Sequence, residues 1–239
     1  MPQTGSAESL FQEGRLDEAI STLSEVLRSD PTDVQSRTFL FELLCFAGAY
    51  DRASRQLDAI STADPEALIS AAWYKEALIA QEQRAAMFRD GSLPESEGEP
   101  AAVSGTLNGR PFEDLTDADP RIGRRLELLV GGRYSWIPFA HLARVRIEPP
   151  GRLRDLYWIP AQIEGTAEVG NLTNEVLLPV MTPRAAEHED DLVRLGRVTE
   201  WEEIEGGDEA PVGQKLLLVD GDDVSLLEIR ELTFDHPGE

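Results

Sequence analysis

The chain has 239 residues, 41% of them hydrophobic and 28% charged, with a formal net charge of −23. That composition supports a packed core and excludes a disordered chain; no apolar run reaches the roughly 18 residues that a membrane span needs. Forty-five acids against 22 bases argue against a nucleic-acid partner, whose phosphates call for Lys and Arg. The first six residues carry no basic stretch followed by an apolar run, and Cys45 is the single cysteine, so a cytoplasmic protein without an internal disulfide is expected.

The first predicted elements are helices, and they repeat. Sliding the chain by 34 positions places Leu10 on Leu44, Gly14 on Gly48, Asp17 on Asp51, Ala19 on Ala53, Leu23 on Leu57 and Pro31 on Pro65. Each glycine sits where a first helix must end and reverse. Asp17 and Asp51 cap or charge the start of the second helix. Ala19 and Ala53 let two helices approach closely, and Leu23, Leu27, Leu57 and Ile60 fill the seam at helical spacing. Pro31 and Pro65 open the next unit. The period, turn glycine, alanine and proline resemble the tetratricopeptide repeat, although its early tryptophan is missing from both units. The first helix of unit one reads as short and polar, Thr4 to Gln12. A third unit begins at Glu66 with one long helix to about Arg89, its partner helix absent or replaced. Stacked helical pairs expose a curved groove suited to a peptide or helix, with Phe39, Leu43 and Trp73 as candidate contacts; the alternative is a repeat that only scaffolds the second half of the chain. Cys45 lies within an apolar helical pattern and reads as a structural thiol, since no histidine occurs in residues 1–140.

Residues 91–103, rich in Gly, Pro, Ser and Glu, read as a linker between a helical region, residues 1–90, and a β-rich region, residues 104–239. Strands are predicted at Leu126 to Val130, Tyr134 to Pro138, Ala143 to Ile147, Leu156 to Ile163, Glu175 to Leu178, Gln214 to Val219 and Ser225 to Leu232. Gly131-Gly132 and Asp220-Gly221 mark hairpin turns. A short helix is expected around Glu187 to Val193. Many short strands at close spacing point to a partly closed barrel, and the whole to an α+β fold.

Catalytic, metal and cofactor signals are missing from the pattern. His141, His188 and His236 have no second ligand at metal spacing, and His188-Glu189-Asp190-Asp191 reads as a solvated helix start. Phosphate-binding loops and nucleophile elbows are not found. What stands out is an aromatic and proline cluster: Tyr134, Trp136, Pro138 and Phe139, then Tyr157, Trp158 and Pro160, with Arg154-Asp155 before the second group. It forms either an exposed recognition patch or the core of the barrel. Eight basic residues between Arg121 and Arg154 leave a local basic patch or scattered solvated arginines, both compatible with the sequence.

Gly132-Arg133-Tyr134-Ser135-Trp136-Ile137-Pro138-Phe139 and Leu153-Arg154-Asp155-Leu156-Tyr157-Trp158-Ile159-Pro160-Ala161 are similar to the ImpE/TagJ family, accessory proteins of bacterial type VI secretion. The stretches Asp190 to Trp201, Gly213 to Leu218 and Leu227 to Arg230 agree with it. The resemblance implies a helical repeat joined to a β-rich region, and a cytoplasmic protein partnered with the contractile sheath machinery: the small sheath subunit and the ClpV unfoldase that recycles it. It implies no catalytic residues and no cofactor. The expectation is therefore a non-enzymatic adaptor whose contacts lie at Phe39, Leu43 and Trp73 or at Tyr134, Trp136, Arg154, Asp155 and Trp158. The alternatives are a structural scaffold, or an enzyme using acids near residues 121–155 in a cleft between the two regions.

Overall fold

The structure is a computed structural model and describes residues 2–63, 65–94, 98–166 and 171–236. Five helices open the chain: α1 (Pro2–Gln12), α2 (Leu16–Ser29), α3 (Val34–Phe46), α4 (Tyr50–Ala63) and α5 (Leu68–Asp90). The internal repeat is visible in their geometry. Gly14 and Gly48 both take the left-handed conformation, with φ of 79° and 66°. The bonds that close the two turns match: Arg15 N–H donates to Leu10 O and Ala49 N–H to Leu44 O, each at 2.9 Å. Leu16, Ala19, Ile20, Leu23, Val26 and Leu27 form the buried stripe of α2. Asp17 makes no side-chain cap and acts through its charge in the first turn, whereas Asp33 caps α3 by accepting from Ser36 N–H at 3.0 Å. In the third unit the turn position falls on Glu82, which is not a glycine, and α5 runs through it to Gly91 (φ 67°). None of the helices, among the described residues, is long and apolar enough to cross a membrane.

Thirteen strands come next among the described residues: β1 (Gly105–Leu107), β2 (Arg110–Phe112), β3 (Leu115–Asp117), β4 (Arg125–Val130), β5 (Arg133–Pro138), β6 (Leu142–Ile147), β7 (Trp158–Gly165) and β8 (Asn171–Pro179), then, after the four-residue α6 (Asp191–Arg194), β9 (Glu200–Glu203), β10 (Glu209–Val212), β11 (Leu216–Val219), β12 (Asp222–Ser225) and β13 (Glu231–Phe234). Eight of them make one antiparallel sheet in the order β2-β1-β13-β6-β7-β8-β4-β5; β12-β11-β3 and β10-β9 make smaller sheets. Both hairpin glycine turns form where expected, at 131–132 and 220–221.

The large sheet is open, which corrects the expected barrel. Closure would require β2 to pair with β5. Instead the edge of β5 lies along α5, where Tyr134 N–H reaches Gln83 Oε1 at 3.5 Å. Pro111 in β2 offers no N–H. The expected strand from Ser225 to Leu232 is also broken: Ser225 Oγ accepts from Leu227 N–H at 3.2 Å, the chain makes a turn, and β13 begins at Glu231.

At β4 the sheet is buried on both faces, so that strand, apart from Arg125 and Glu127, reads as an apolar run, whereas β6 and β7 alternate. Leu126 and Leu128 face a core built with Ile137, Ile159, Val176 and Leu178. Leu129, Tyr134, Trp158 and Leu177 face a second core shared with the helices. The face of α5 that a second repeat helix would have covered rests on β4 and β5.

A candidate partner groove and the buried joint beside it

Helix α5 delivers Gln81, Arg84 and Phe88 from one face onto the sheet, at a spacing that keeps them in line. Arg84 holds Glu127 with two bonds, Nε to Oε1 at 2.7 Å and Nη2 to Oε2 at 2.9 Å, and donates Nη1 to Met181 O at 2.9 Å. Lys215 Nζ lies 2.5 Å from Glu127 Oε2 and also pairs with Asp117. Tyr134 OH donates to Glu127 Oε1 at 2.5 Å and accepts from Trp136 Nε1–H. The four charged side chains are at most 3% exposed, and two cations balance two anions. Burial works against the charge on all four, and the neighbours decide the outcome. For Glu127 burial is outweighed by Arg84 and Lys215, which hold its pKa down to about 2. For Asp117 burial prevails, with Glu127 adding to it, and the pKa rises to about 7. Arg84 and Lys215 are pushed down by burial, but their anions keep both above the ordinary values.

A second set of bonds joins the β-region to α3, the start of α4, and α5. Trp158 Nε1–H donates to Gln81 Oε1 at 3.1 Å. The Tyr157 and Tyr50 hydroxyls lie 2.9 Å apart, and the Tyr157 ring meets Phe46 edge-on at 5.1 Å. Arg154 donates Nε to Tyr74 OH at 2.9 Å and Nη1 to Glu42 at 3.2 Å. The inner side of α3 and α5, the side a repeat groove presents to a ligand, is thus filled by the protein's own segment from Leu153 to Trp158.

The expected contact residues separate accordingly. Leu43, Tyr134 and Trp158 are interior side chains, 0%, 6% and 0% exposed, and no surface partner can touch them; the aromatic group is core rather than patch at these positions. Phe39, Trp73, Trp136, Arg154 and Asp155 are half-buried. Phe39 packs edge-on against Phe11 at 5.8 Å. Asp155 accepts from Gly151 and Arg152 N–H, each at 2.9 Å, and shapes its own turn. Between α5 and β4 the gap lined by Trp73, Glu76, Leu129, Gly131 and Leu177 holds about 10 Å³, one water at most. Asp117 and Glu127 do converge, on Lys215, and both are buried.

Beside the filled segment a hollow of about 220 Å³ stays open, lined by Val34, Thr38 and Phe41 of α3, Leu57 and Ile60 of α4, Ala71 and Tyr74 of α5, and Arg154. Its wall is mainly apolar, interrupted by Thr38, Ser70 and the Arg154 that is paired with Glu42. On the other side the segment around α6 packs on the repeat turns, with Ala186 close to Gly48 and its bonds made to the first turn. Asp191 caps α2 by accepting from Leu16 N–H at 2.7 Å, Arg194 reaches Asp17 at 3.1 Å, and Arg197 donates to Phe11 O at 2.5 Å and Gln12 O at 2.7 Å. Asp190 and Asp191 are thus cap residues, Asp190 for α6 and Asp191 for α2; among the described residues, no three His, Cys, Asp or Glu side chains are placed to share a metal.

Arg84, Glu127, Lys215 and Gln81 were not singled out by the sequence pattern. One signal was there: Glu127 stands in the middle of an apolar strand, and a charge in that position needs a buried partner.

Comparison with known proteins places these features. The ImpE protein family model matches residues 109–233, and a tetratricopeptide repeat model matches residues 10–82. The chain is 36% identical to the type VI secretion system accessory component TagJ of Pseudomonas aeruginosa over 262 aligned positions, covering 96% of this chain and 91% of the relative. A crystal structure of a Vibrio parahaemolyticus protein superposes with a TM-score of 0.84 over 98% of each chain at 21% identity, which speaks to the fold alone.

Proposed function

The chain belongs to the ImpE protein family, and from that premise we propose that it is a non-enzymatic accessory component of bacterial type VI secretion. In this reading it is a cytoplasmic adaptor that holds a component of the contractile sheath and the ClpV recycling ATPase. Membership and the likeness to TagJ support the secretion role. The observation that carries the adaptor role is the 220 Å³ hollow between α3, α4 and α5. Sites for small molecules run from about 300 Å³ upward; an apolar hollow below that size suits one or two anchoring side chains of a protein partner. Its flank combines Arg154 with Tyr74 and Glu42, groups already engaged with one another and suited to orienting a chain.

The test is co-purification of the chain with purified sheath subunits and ClpV, at low salt and micromolar concentration. The expected result is retention of both, and failure to hold either defeats the reading. The filling of the inner groove by Leu153 to Trp158 favours a second reading, a scaffold whose repeat only braces the β-region. A chain that keeps its fold yet holds neither protein would decide for the scaffold.

A further inference from the structure

We propose that the turn from Glu148 to Leu156 is a displaceable strap: Arg154 holds Glu42 in place of an arginine from the protein partner, which enters the inner groove of the repeat by taking that carboxylate over. The proposal rests on the adaptor reading and deepens it, naming the chemistry of the partner and the regulation of the groove. The turn lies on the inner side of α3 and α5, where a helical repeat takes its ligands. Glu148 to Arg152 are exposed and Leu153 to Leu156 half-buried, and full burial starts at Tyr157. The turn is laid on the helices, whereas the residues after it are built into them. It keeps its own shape: Asp155 accepts from Gly151 and Arg152 N–H, and Asp155 N–H donates to Arg152 O at 3.0 Å. Its polar hold on the helices runs through Arg154, which donates to Tyr74 OH and to Glu42, with its guanidinium 4.9 Å from the centre of the Tyr74 ring. This pair is not sealed from water. Its two side chains are 14% and 10% exposed, against 0% for both Arg84 and Glu127.

The carboxylate belongs to the repeat. Shifting by 34 positions carries Glu42 onto Glu8 in α1 and Glu76 in α5. Both of these are exposed, whereas Glu42 is 8% exposed. Burial pushes the Glu42 carboxyl above its ordinary value, and Arg154 pulls it back. The acid under the strap thus calls for a cation, and the strap shows the rest of the pattern. Leu153-Arg154-Asp155-Leu156 places one leucine just before the arginine and another two positions after it, both packed against the core shared with the helices. A partner segment of that pattern replaces each contact it displaces. Its guanidinium takes Glu42 and Tyr74, and Arg154 goes to water, where Arg152 already is. The exchange costs no bond, so the strap is a gate and not a permanent filling. The hollow beside it is lined by Tyr74 and Arg154 as well, which puts an apolar recess within reach of the partner's next side chain.

The full chain and the variants Arg154→Gln and Glu42→Gln are titrated with purified sheath subunits and with ClpV, their folds checked by circular dichroism and urea unfolding. The two substitutions break one ion pair from opposite ends, so a pair that is only structural moves binding the same way in both. A strap separates them. Arg154→Gln opens the groove and keeps its carboxylate; it is expected to bind the partner that the parent retains about tenfold more tightly, as it would if the strap covers about nine in ten parent molecules. Glu42→Gln also loosens the strap but removes the seat of the partner's arginine, and is expected to bind no more tightly than the parent. Arg154→Lys keeps the charge and gives up the fork that reaches Tyr74 and Glu42 together; its gain should fall between parent and Arg154→Gln, and it carries the test if Arg154→Gln does not fold. Weaker binding by both Arg154→Gln and Glu42→Gln makes Arg154 part of the docking surface and overturns the strap. Equal gains from both overturn the partner's arginine. Parent and variants retained alike overturn the proposal and leave the adaptor standing, whereas a parent chain that retains neither protein removes the adaptor and the strap with it.

Discussion

The two halves of α5 do opposite things with the same helical geometry. From Gln81 to Phe88 the helix is locked: Arg84 is fully buried, and its guanidinium spans Glu127 in the sheet and the carbonyl of Met181. Between Leu68 and Ile79 an outer flank is exposed: Leu68, Ile69 and Ile79 are more than half open to solvent, with Lys75 among them paired to Asp58 of α4. A repeat stack normally ends in a polar capping helix. Here the C-terminal part of α5 is closed by a β-sheet, and its N-terminal part keeps exposed apolar side chains. The lesson is that the sheet replaces the missing partner helix along one face of α5, from Trp73 to Phe88, and leaves a different flank, with Leu68 and Ile79, bare.

The locked half breaks hardest. Glu127→Gln leaves Arg84 and Lys215 facing Asp117 as the remaining anion in a dry site, and the expected loss is about 3–5 kcal/mol of unfolding free energy in urea titration. Adding Arg84→Met costs much less than a second loss of that size, because the orphaned cation goes too. Equal and additive losses would show that the joint is not one unit.

The same cluster gives the comparison a pH dependence. Burial, with Glu127 beside it, lifts Asp117 to about 7 in the folded chain, against the ordinary value of 3.8. Between those values the folded state keeps a proton that the unfolded state has released. The contribution of Asp117 to stability is thus fully present below the ordinary value and is lost as pH rises through about 7. Asp117→Asn should flatten this part of the stability curve between pH 4 and 7, read from denaturant midpoints at each pH. A variant with the parent's slope would mean that Asp117 is ionised in the fold. The open half of α5 has no such group, so Leu68→Glu should leave the slope in place.

The sequence exposed the open half better than the locked one, for a physical reason. A 34-residue rhythm is local information, and Gly14, Gly48 and the long helix from Glu66 follow from it. The hairpins at 131–132 and 220–221 were equally legible, because turn chemistry is local. The joint depends on meetings between distant residues: Trp158 with Gln81, Arg84 with Glu127, Lys215 with Asp117. Alternation could not sort Tyr134 and Trp158 into core or surface, because where they lie the sheet packs on the helices with one face and on the core of Leu126 and Leu128 with the other. The barrel was misjudged on the same ground. Whether β5 pairs with β2 or lies on α5 is decided by a helix some fifty residues away, as the bond from Tyr134 N–H to Gln83 illustrates.

The smallest effect tests whether the repeat turns belong to the locked part of the molecule. Gly48 and Gly91 have nearly the same left-handed φ, 66° and 67°, so alanine meets the same backbone penalty at both, about 1 kcal/mol. Their surroundings differ. A Cβ on Gly91 would meet nothing within 4 Å, whereas one on Gly48 would sit 3.0 Å from Cβ of Ala186 in the segment that braces the repeat turns. Gly91→Ala should therefore cost about 1 kcal/mol and Gly48→Ala about 2 kcal/mol, the excess being the push against that segment. The two are compared by urea unfolding of otherwise identical chains. If the losses are equal, the segment yields freely, and the bracing by Ala186 and α6 adds nothing to the hold of the β-region on the repeat. If Gly48→Ala is the worse, the rigid zone reaches from the joint across both repeat turns, and the flank from Leu68 to Ile79 stands as the free end of an otherwise closed stack.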